Sequence, residues 1–215
     1  MKKKYVAILL VMVLSVSLFT VNSFAETAKY QIEGGTYEKI RNTETVNIDN
    51  KLYQYSYYSN PLTNDRAIEV RNISDEVTDY VTIINNIVYL NGDAIGSIEE
   101  GDDSFGSDSR SLKAAGSWKK LGSNSKRITW AKGTANAIVA AIIAGALSYA
   151  ATASTVIAAT GVAVIGVLAS QTTGGTVSYT VYSRKAGKLT NYKWSWKFKA
   201  STGDKYGPYT SYTSV

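Results

Sequence analysis

The feature that most constrains this chain is the stretch from Gly133 to Ser183, which carries no charged residue. Within it, Ala135 to Ser170 is nearly continuous in apolar and small side chains, and such a block has to be buried in protein or in lipid. Drawn as one α-helix, these 36 residues would run to roughly 54 Å, far more than the hydrocarbon core of a bilayer at about 30 Å. The polar interruption at Thr152, Ala153, Ser154 and Thr155 predicts two helices instead, Ala135 to Ala151 and Val156 to Ala169, folded back as a hairpin. The block holds 13 alanines against 12 Ile, Leu or Val, so its gain on entering lipid is small. Each helix is short for a bilayer, and insertion would call for thinning, tilt or oligomerisation. Ala137, Ala141 and Gly145 recur on one helical line, and Gly161 and Gly166 add further points where backbones can approach. With Ile142 and Ile165 they form the candidate membrane-insertion set. Two other readings stand beside it: a buried central hairpin of a soluble protein, and a strand in place of the Val-, Ile- and Thr-rich second helix.

Charge divides the chain about the same region. Residues 26–109 hold 16 acids and six bases, a net of −10, whereas residues 110–215 hold 14 bases and one acid, Asp204, a net of +13. The two halves should therefore attract, with the acidic half masking the basic one and salt weakening the attraction. Between them, residues 99–115 read as an acidic flexible linker containing Glu99, Glu100, Asp102, Asp103 and Asp108. Its oxygen ligands invite a cation-binding reading, but the spacing does not match the twelve-residue EF-hand loop.

At the amino end, Lys2, Lys3 and Lys4 precede an apolar run from Tyr5 to about Phe19, followed by Ser23, Phe24 and Ala25. This is the pattern of a secretory signal peptide, residues 1–25, cleaved between Ala25 and Glu26. The chain contains no histidine and no cysteine, which removes Ser-His-Asp triads, cysteine nucleophiles, disulfides and zinc sites built on His or Cys. A carboxylate-only glycosidase is the remaining enzymatic reading. Its candidate pairs, Glu99 with Asp103 and Asp75 with Asp79, sit in acid-rich stretches that read more simply as solvated charge, so neither an enzyme nor a cofactor is expected.

Residues 26–98 read as an acidic β-rich domain. Val46–Ile48 and Leu52–Tyr58 flank Asp49 and Asn50; Tyr80–Ile84 and Ile87–Leu90 flank Asn85 and Asn86; Asn91 and Gly92 mark a further turn. Tyr53, Tyr55 and Tyr57 alternate onto one face, as a half-buried sheet or a sugar- or peptide-binding surface would require. Residues 116–215 read as a basic, membrane-active domain comprising the apolar hairpin (135–170) and a β-hairpin (176–200). In the return strand of that β-hairpin Tyr192, Trp194, Trp196 and Phe198 share one face, and Lys193, Ser195, Lys197 and Lys199 the other. Such a strand suits a membrane–water interface, or a sheet whose aromatic face packs on the helices while its lysines meet solvent. Trp118 and Trp130, each beside lysines, complete the candidate interfacial set. The expected fold is α+β: an N-terminal antiparallel β meander, a central apolar helical hairpin and a C-terminal aromatic and basic β-hairpin.

The Ala135–Ser170 block, the run Tyr192 to Ala200 (Tyr-Lys-Trp-Ser-Trp-Lys-Phe-Lys-Ala) and the Tyr-rich end to Tyr212 resemble the geobacillin-type family of large, unmodified, secreted antibacterial proteins. The likeness covers about half of residues 26–215 and includes no catalytic signature. It implies a bacteriocin-like, extracellular protein acting at the envelope of related bacteria, and transfers no site residues. The expected partner is an anionic bacterial membrane or envelope component, with an oligomer on the membrane and no nucleic acid. The alternative is a soluble, surface- or matrix-associated binding module whose hairpin is simply core.

Overall fold

Two consecutive residues in the left-handed region are what a two-residue β-hairpin turn demands, and Asn and Asp tolerate that conformation best after glycine. Asp49 and Asn50 (φ 51° and 64°), Asn85 and Asn86 (49° and 65°), and Asn91 and Gly92 (52° and 91°) all adopt it. They reverse the chain between successive strands of a large meander. The computed structural model describes residues 29–32, 35–101, 117–148, 151–187 and 189–214. The expected signal peptide with its cleavage pair, Ala25 and Glu26, and linker residues 102–115 lie outside them.

The strands are β1 (Lys29–Ile32), β2 (Gly35–Lys39), β3 (Glu44–Ile48), β4 (Lys51–Ser59), β5 (Arg66–Asn72), β6 (Val77–Ile84), β7 (Ile87–Leu90), β8 (Asp93–Glu100), β9 (Lys119–Thr129), β10 (Gly174–Ala186), β11 (Leu189–Ala200) and β12 (Lys205–Ser214). Between β9 and β10 come helices α1 (Asn136–Ala146), α2 (Ala153–Thr160) and α3 (Val162–Gln171). All strand pairs are antiparallel, in the order β1-β2-β4-β5-β6-β7-β8-β9-β10-β11-β12, with β3 also on β4.

This corrects the expected α+β division around a central helical hairpin: strands account for 57% of the structure and helices for 18%. Two local causes account for the difference. The apolar block breaks at Gly161 (φ 82°), which ends α2 and starts α3 at a bend of 99°, so three short helices replace the two of a hairpin. The polar segment Gly122-Ser123-Asn124-Ser125, which shows no apolar alternation, lies inside β9, the strand whose next residues, Lys126 to Ile128, join the two halves of the sheet. There Ile98 pairs with Ile128, Glu99 with Arg127 and Glu100 with Lys126. The acidic and basic halves thus meet strand to strand, in opposite-charge register.

The core lies between the sheet and the helices. Every residue of α1 from Ala137 to Ala146 is buried. One side of it meets β5, β6 and β9, and α2 and α3 pack against it as well. Tyr55, Tyr57, Ile68, Val81 and Ile128 line the sheet side, while Ile165 and Leu168 contribute from α3. Burying one such side chain stabilises by roughly 1.5–3 kcal/mol. At Gly145 α1 comes close to the sheet, because a Cβ there would sit 2.5 Å from Ile83 Cδ1. The small residue expected to admit a second helix therefore admits a strand side chain.

Polar contacts fix the helix ends. Glu44 accepts hydrogen bonds from the Ser154 backbone N–H (3.0 Å), the Ser154 hydroxyl and the Tyr57 hydroxyl. The Ala153 N–H donates to Tyr57 Oη at 2.7 Å. A carboxylate at the start of α2 satisfies N–H groups that the helix leaves unpaired and favours its positive end. At the other end of α1, Arg66 Nη1 donates to the Gly145 carbonyl (3.0 Å) and Ser148 Oγ (3.2 Å), and Lys126 Nζ donates to Ser148 Oγ at 3.2 Å. Burial holds the Lys126 ammonium below its usual pKa, and the Arg66 charge adds to the effect.

Candidate functional face of the C-terminal sheet

Side chains alternate across a strand, so the register of β9–β12 sorts the basic and aromatic residues onto two faces. The inner face carries Trp194, Trp196 and Phe198. Trp196 and Phe198 are 1% exposed, with Trp196 against Tyr209 (centroids 4.7 Å apart) and Phe198 stacked on Trp130 at 6.0 Å. Trp130 is itself buried, its Nε1 donating to the Thr172 carbonyl at 3.1 Å. Of the expected interfacial set, Trp130, Trp196 and Phe198 are therefore core residues. Trp194 is half-buried against Tyr179, at 5.5 Å. Trp194 Nε1, Trp196 Nε1 and Ser211 Oγ are buried with no hydrogen-bond partner among the described residues, at a cost of roughly 1–3 kcal/mol each. They lie on β11 and β12, the latter touched by α2.

The outer face carries the charge. Lys120, Tyr182, Lys193 and Tyr212 form one row across β9, β10, β11 and β12. Trp118 joins them from just before β9. The Arg184 guanidinium lies 4.7 Å from the Trp118 ring centroid, Lys193 Nζ lies 5.3 Å from it and 4.4 Å from the Tyr182 ring, and Tyr212 lies 6.0 Å from Trp118. Such cation–π contacts hold charge beside aromatic surface without neutralising it. Tyr212 is 66% exposed. Further along β11 the same face presents Lys197 and Lys199, both exposed, and Lys199 is paired in register with Lys205. Arg127, Arg184, Lys193, Lys199 and Lys205 make no ion pair with a described carboxylate. Tyr192, half-buried, belongs to the opposite face, as the alternation requires.

The expected insertion residues sit elsewhere. Ala137, Ala141, Ile142, Gly145 and Ile165 are buried, Gly166 is half-buried and Gly161 is exposed at the bend. Among the described residues no single helix is long and apolar enough to cross a membrane; the bent pair α2–α3 meets that test only when its two helices are taken together. Of the candidate acid pairs, Asp75 and Asp79 are each engaged by other residues. Asp75 binds Lys51 Nζ (2.7 Å) and Asn72 Nδ2 (2.8 Å), whereas Asp79 accepts from Asn91 Nδ2 at 2.8 Å. Both serve turns. Asp103 lies outside the described residues, as does most of the segment read as a cation loop.

Comparison with family models, curated proteins and solved structures finds no match. The outer face of β9–β12 is therefore read on its own chemistry. It offers fixed positive charge, exposed aromatic edges and serine and threonine hydroxyls, including the Ser123–Thr180 pair at 2.9 Å. Fixed positive charge beside exposed aromatic edges suits contact with an anionic surface.

Proposed function

We propose that this is a secreted antibacterial protein that acts at the target cell envelope by docking on its anionic surface through the outer face of β9–β12. The observation that carries the reading is the Trp118, Tyr182 and Tyr212 cluster interleaved with Arg184 and Lys193. Aromatic rings at headgroup depth with cations beside them suit a membrane–water interface. The antibacterial part rests on the resemblance in the apolar block and the Tyr192–Ala200 run. Binding of the purified chain to phosphatidylglycerol vesicles should exceed binding to phosphatidylcholine vesicles and fall with salt. The double variant Arg184→Gln, Lys193→Gln should weaken it by roughly 1 kcal/mol per cation, about fivefold each, with a parallel loss of growth inhibition. Equal partitioning to both vesicle types, or growth inhibition untouched by the double variant, would count against the reading.

One observation favours a second reading, a soluble binding module of the cell surface or matrix. Helix α1 is enclosed on all sides, as the permanent core of such a module would be. Full structure with no affinity for either vesicle type would select it.

A further inference from the structure

A cleft of about 620 Å³ opens where β8–β11 end, some distance from the Trp118 cluster. Its walls include Glu99, Arg127, Thr173, Thr176, Lys199 and Ser201. Four of these stand in one cross-strand row: Glu99 pairs with Arg127, Arg127 with Thr176, and Thr176 with Lys199. Direct cross-strand partners share a face, so all four side chains project from the same side of the sheet. The row reads carboxylate, guanidinium, hydroxyl, ammonium. Six residues along β10 separate Thr176 from Tyr182, roughly 20 Å at about 3.3 Å per residue, so the cleft is distinct from the aromatic cluster.

The cleft is built from backbone as well as side chains. A Cβ on Gly174 would lie 2.1 Å from the Ile128 carbonyl oxygen, and one on Gly175 2.3 Å from that of Lys199. Bare glycine backbone therefore lets three strands close up under the cleft. The Ser201 N–H donates to the Gly174 carbonyl at 2.9 Å, and the Trp130 N–H donates to that of Thr173 at 3.1 Å. These bonds tie the rim to the buried Trp130–Phe198 stack, so the walls are preorganised.

Arg127 and Lys199 flank Thr176 on adjacent strands, about 10 Å apart at about 4.8 Å per strand step. Side chains as long as arginine and lysine have the reach to meet one anion above the threonine hydroxyl from that separation. Neither is ion-paired to a described carboxylate. A guanidinium fork suits phosphate in particular. The row ends on Glu99, exposed and, among the described residues, held by a 3.3 Å bond from Ser97 Oγ, which leaves its carboxylate accessible to a positive group. The cleft's volume falls within the range of small-molecule sites, roughly 300–1,000 Å³. We propose that it binds a phosphate–ammonium zwitterion of the phosphoethanolamine type, the phosphate on Arg127, Thr176 and Lys199 and the ammonium on Glu99. The proposal stands independently of vesicle docking through the Trp118 cluster.

Calorimetry of the purified chain with phosphoethanolamine, inorganic phosphate and ethanolamine tests it. Phosphoethanolamine should bind about tenfold or more tightly than either half alone, since both ends of the row contribute. Glu99→Gln should bring it down to the level of inorganic phosphate. Arg127→Gln with Lys199→Gln should abolish binding of both phosphate-bearing probes. If a variant fails to fold, amide shifts in the unaltered chain decide: perturbation centred on Gly175, Thr176 and Lys199 supports the site, and perturbation confined to the Trp118 end overturns it. Absence of binding at millimolar phosphoethanolamine, or equal affinity for phosphoethanolamine and phosphate, also overturns it. Competition by phosphatidylethanolamine vesicles identifies a lipid headgroup as the source. Undiminished binding of the free compound in their presence identifies a soluble or polymer-borne one.

Discussion

Glu44 illustrates how one side chain can organise a distant element. It lies on β3 yet serves the first turn of α2, accepting from Ser154 twice and from Tyr57. Glu44→Gln replaces a carboxylate oxygen by an amide N–H₂ and removes the charge that strengthens all three bonds, so stability should fall by roughly 1–3 kcal/mol. The urea midpoint should drop with the slope of the transition unchanged. Nothing near residue 44 in the sequence announces this role, because the partner lies 110 positions away. The turn residues are the opposite case. Asp49-Asn50 and Asn85-Asn86 were legible because their conformational preference is local. The alternation of Trp194, Trp196 and Phe198 with Lys193, Lys197 and Lys199 was equally plain. Which of its faces points inward was not, since that depends on where the helices lie.

At the level of elements, the apolar block shows how far composition reaches. Its need for cover could be read from the sequence; its division into three helices could not, because the break depends on one glycine with φ 82° in a run that also holds helical glycines. Gly161 and Gly166 should therefore respond oppositely to alanine. At Gly161 no neighbour lies within 4 Å, so the penalty is purely conformational, about 1–3 kcal/mol for a strained backbone. At Gly166 a Cβ would meet Asn136 Nδ2 at an ordinary 3.5 Å, and replacing a helical glycine gains about 0.5–1 kcal/mol. Thermal unfolding of Gly161→Ala and Gly166→Ala should shift in opposite directions. Strand β9 was illegible for a related reason: Gly122 to Ser125 contribute little apolar surface, and their place is set by the strands on either side. The row Glu99–Arg127–Thr176–Lys199 likewise exists only through the register of four strands.

For the molecule as a whole, tyrosine dominates the alkaline limit. Burial pushes the Tyr55 and Tyr57 hydroxyls far above their ordinary value of 10.0, with Tyr53 next for Tyr55 and Glu44 next for Tyr57; Tyr80, Tyr179 and Tyr209 are raised as well, again chiefly by burial. A raised folded value means protection that is complete below about pH 10 and is lost above it, as the unfolded chain releases protons that the native state retains. Lys126, lowered, acts in the opposite sense up to its ordinary 10.5, but it is one group against at least two. Stability should fall by roughly 2.7 kcal/mol per pH unit above about pH 10 from Tyr55 and Tyr57 alone. The tyrosinate absorbance of the buried rings should therefore appear only together with loss of circular dichroism, and full tyrosinate absorbance with native circular dichroism would contradict this. The opposition of charge between halves was legible from composition, whereas its meeting line at β8–β9 was not. That line has a sequel in assembly. Strands β4 to β8 can zip up in chain order, each pairing with the strand just before it, but Thr129 and Gly174 become adjacent only after three helices have been laid between them. Closing that long loop costs entropy before any pairing rewards it. A chain threaded amino end first therefore finishes its interior before its outer wall, and the last wall to be hung is the one that bears the lysines.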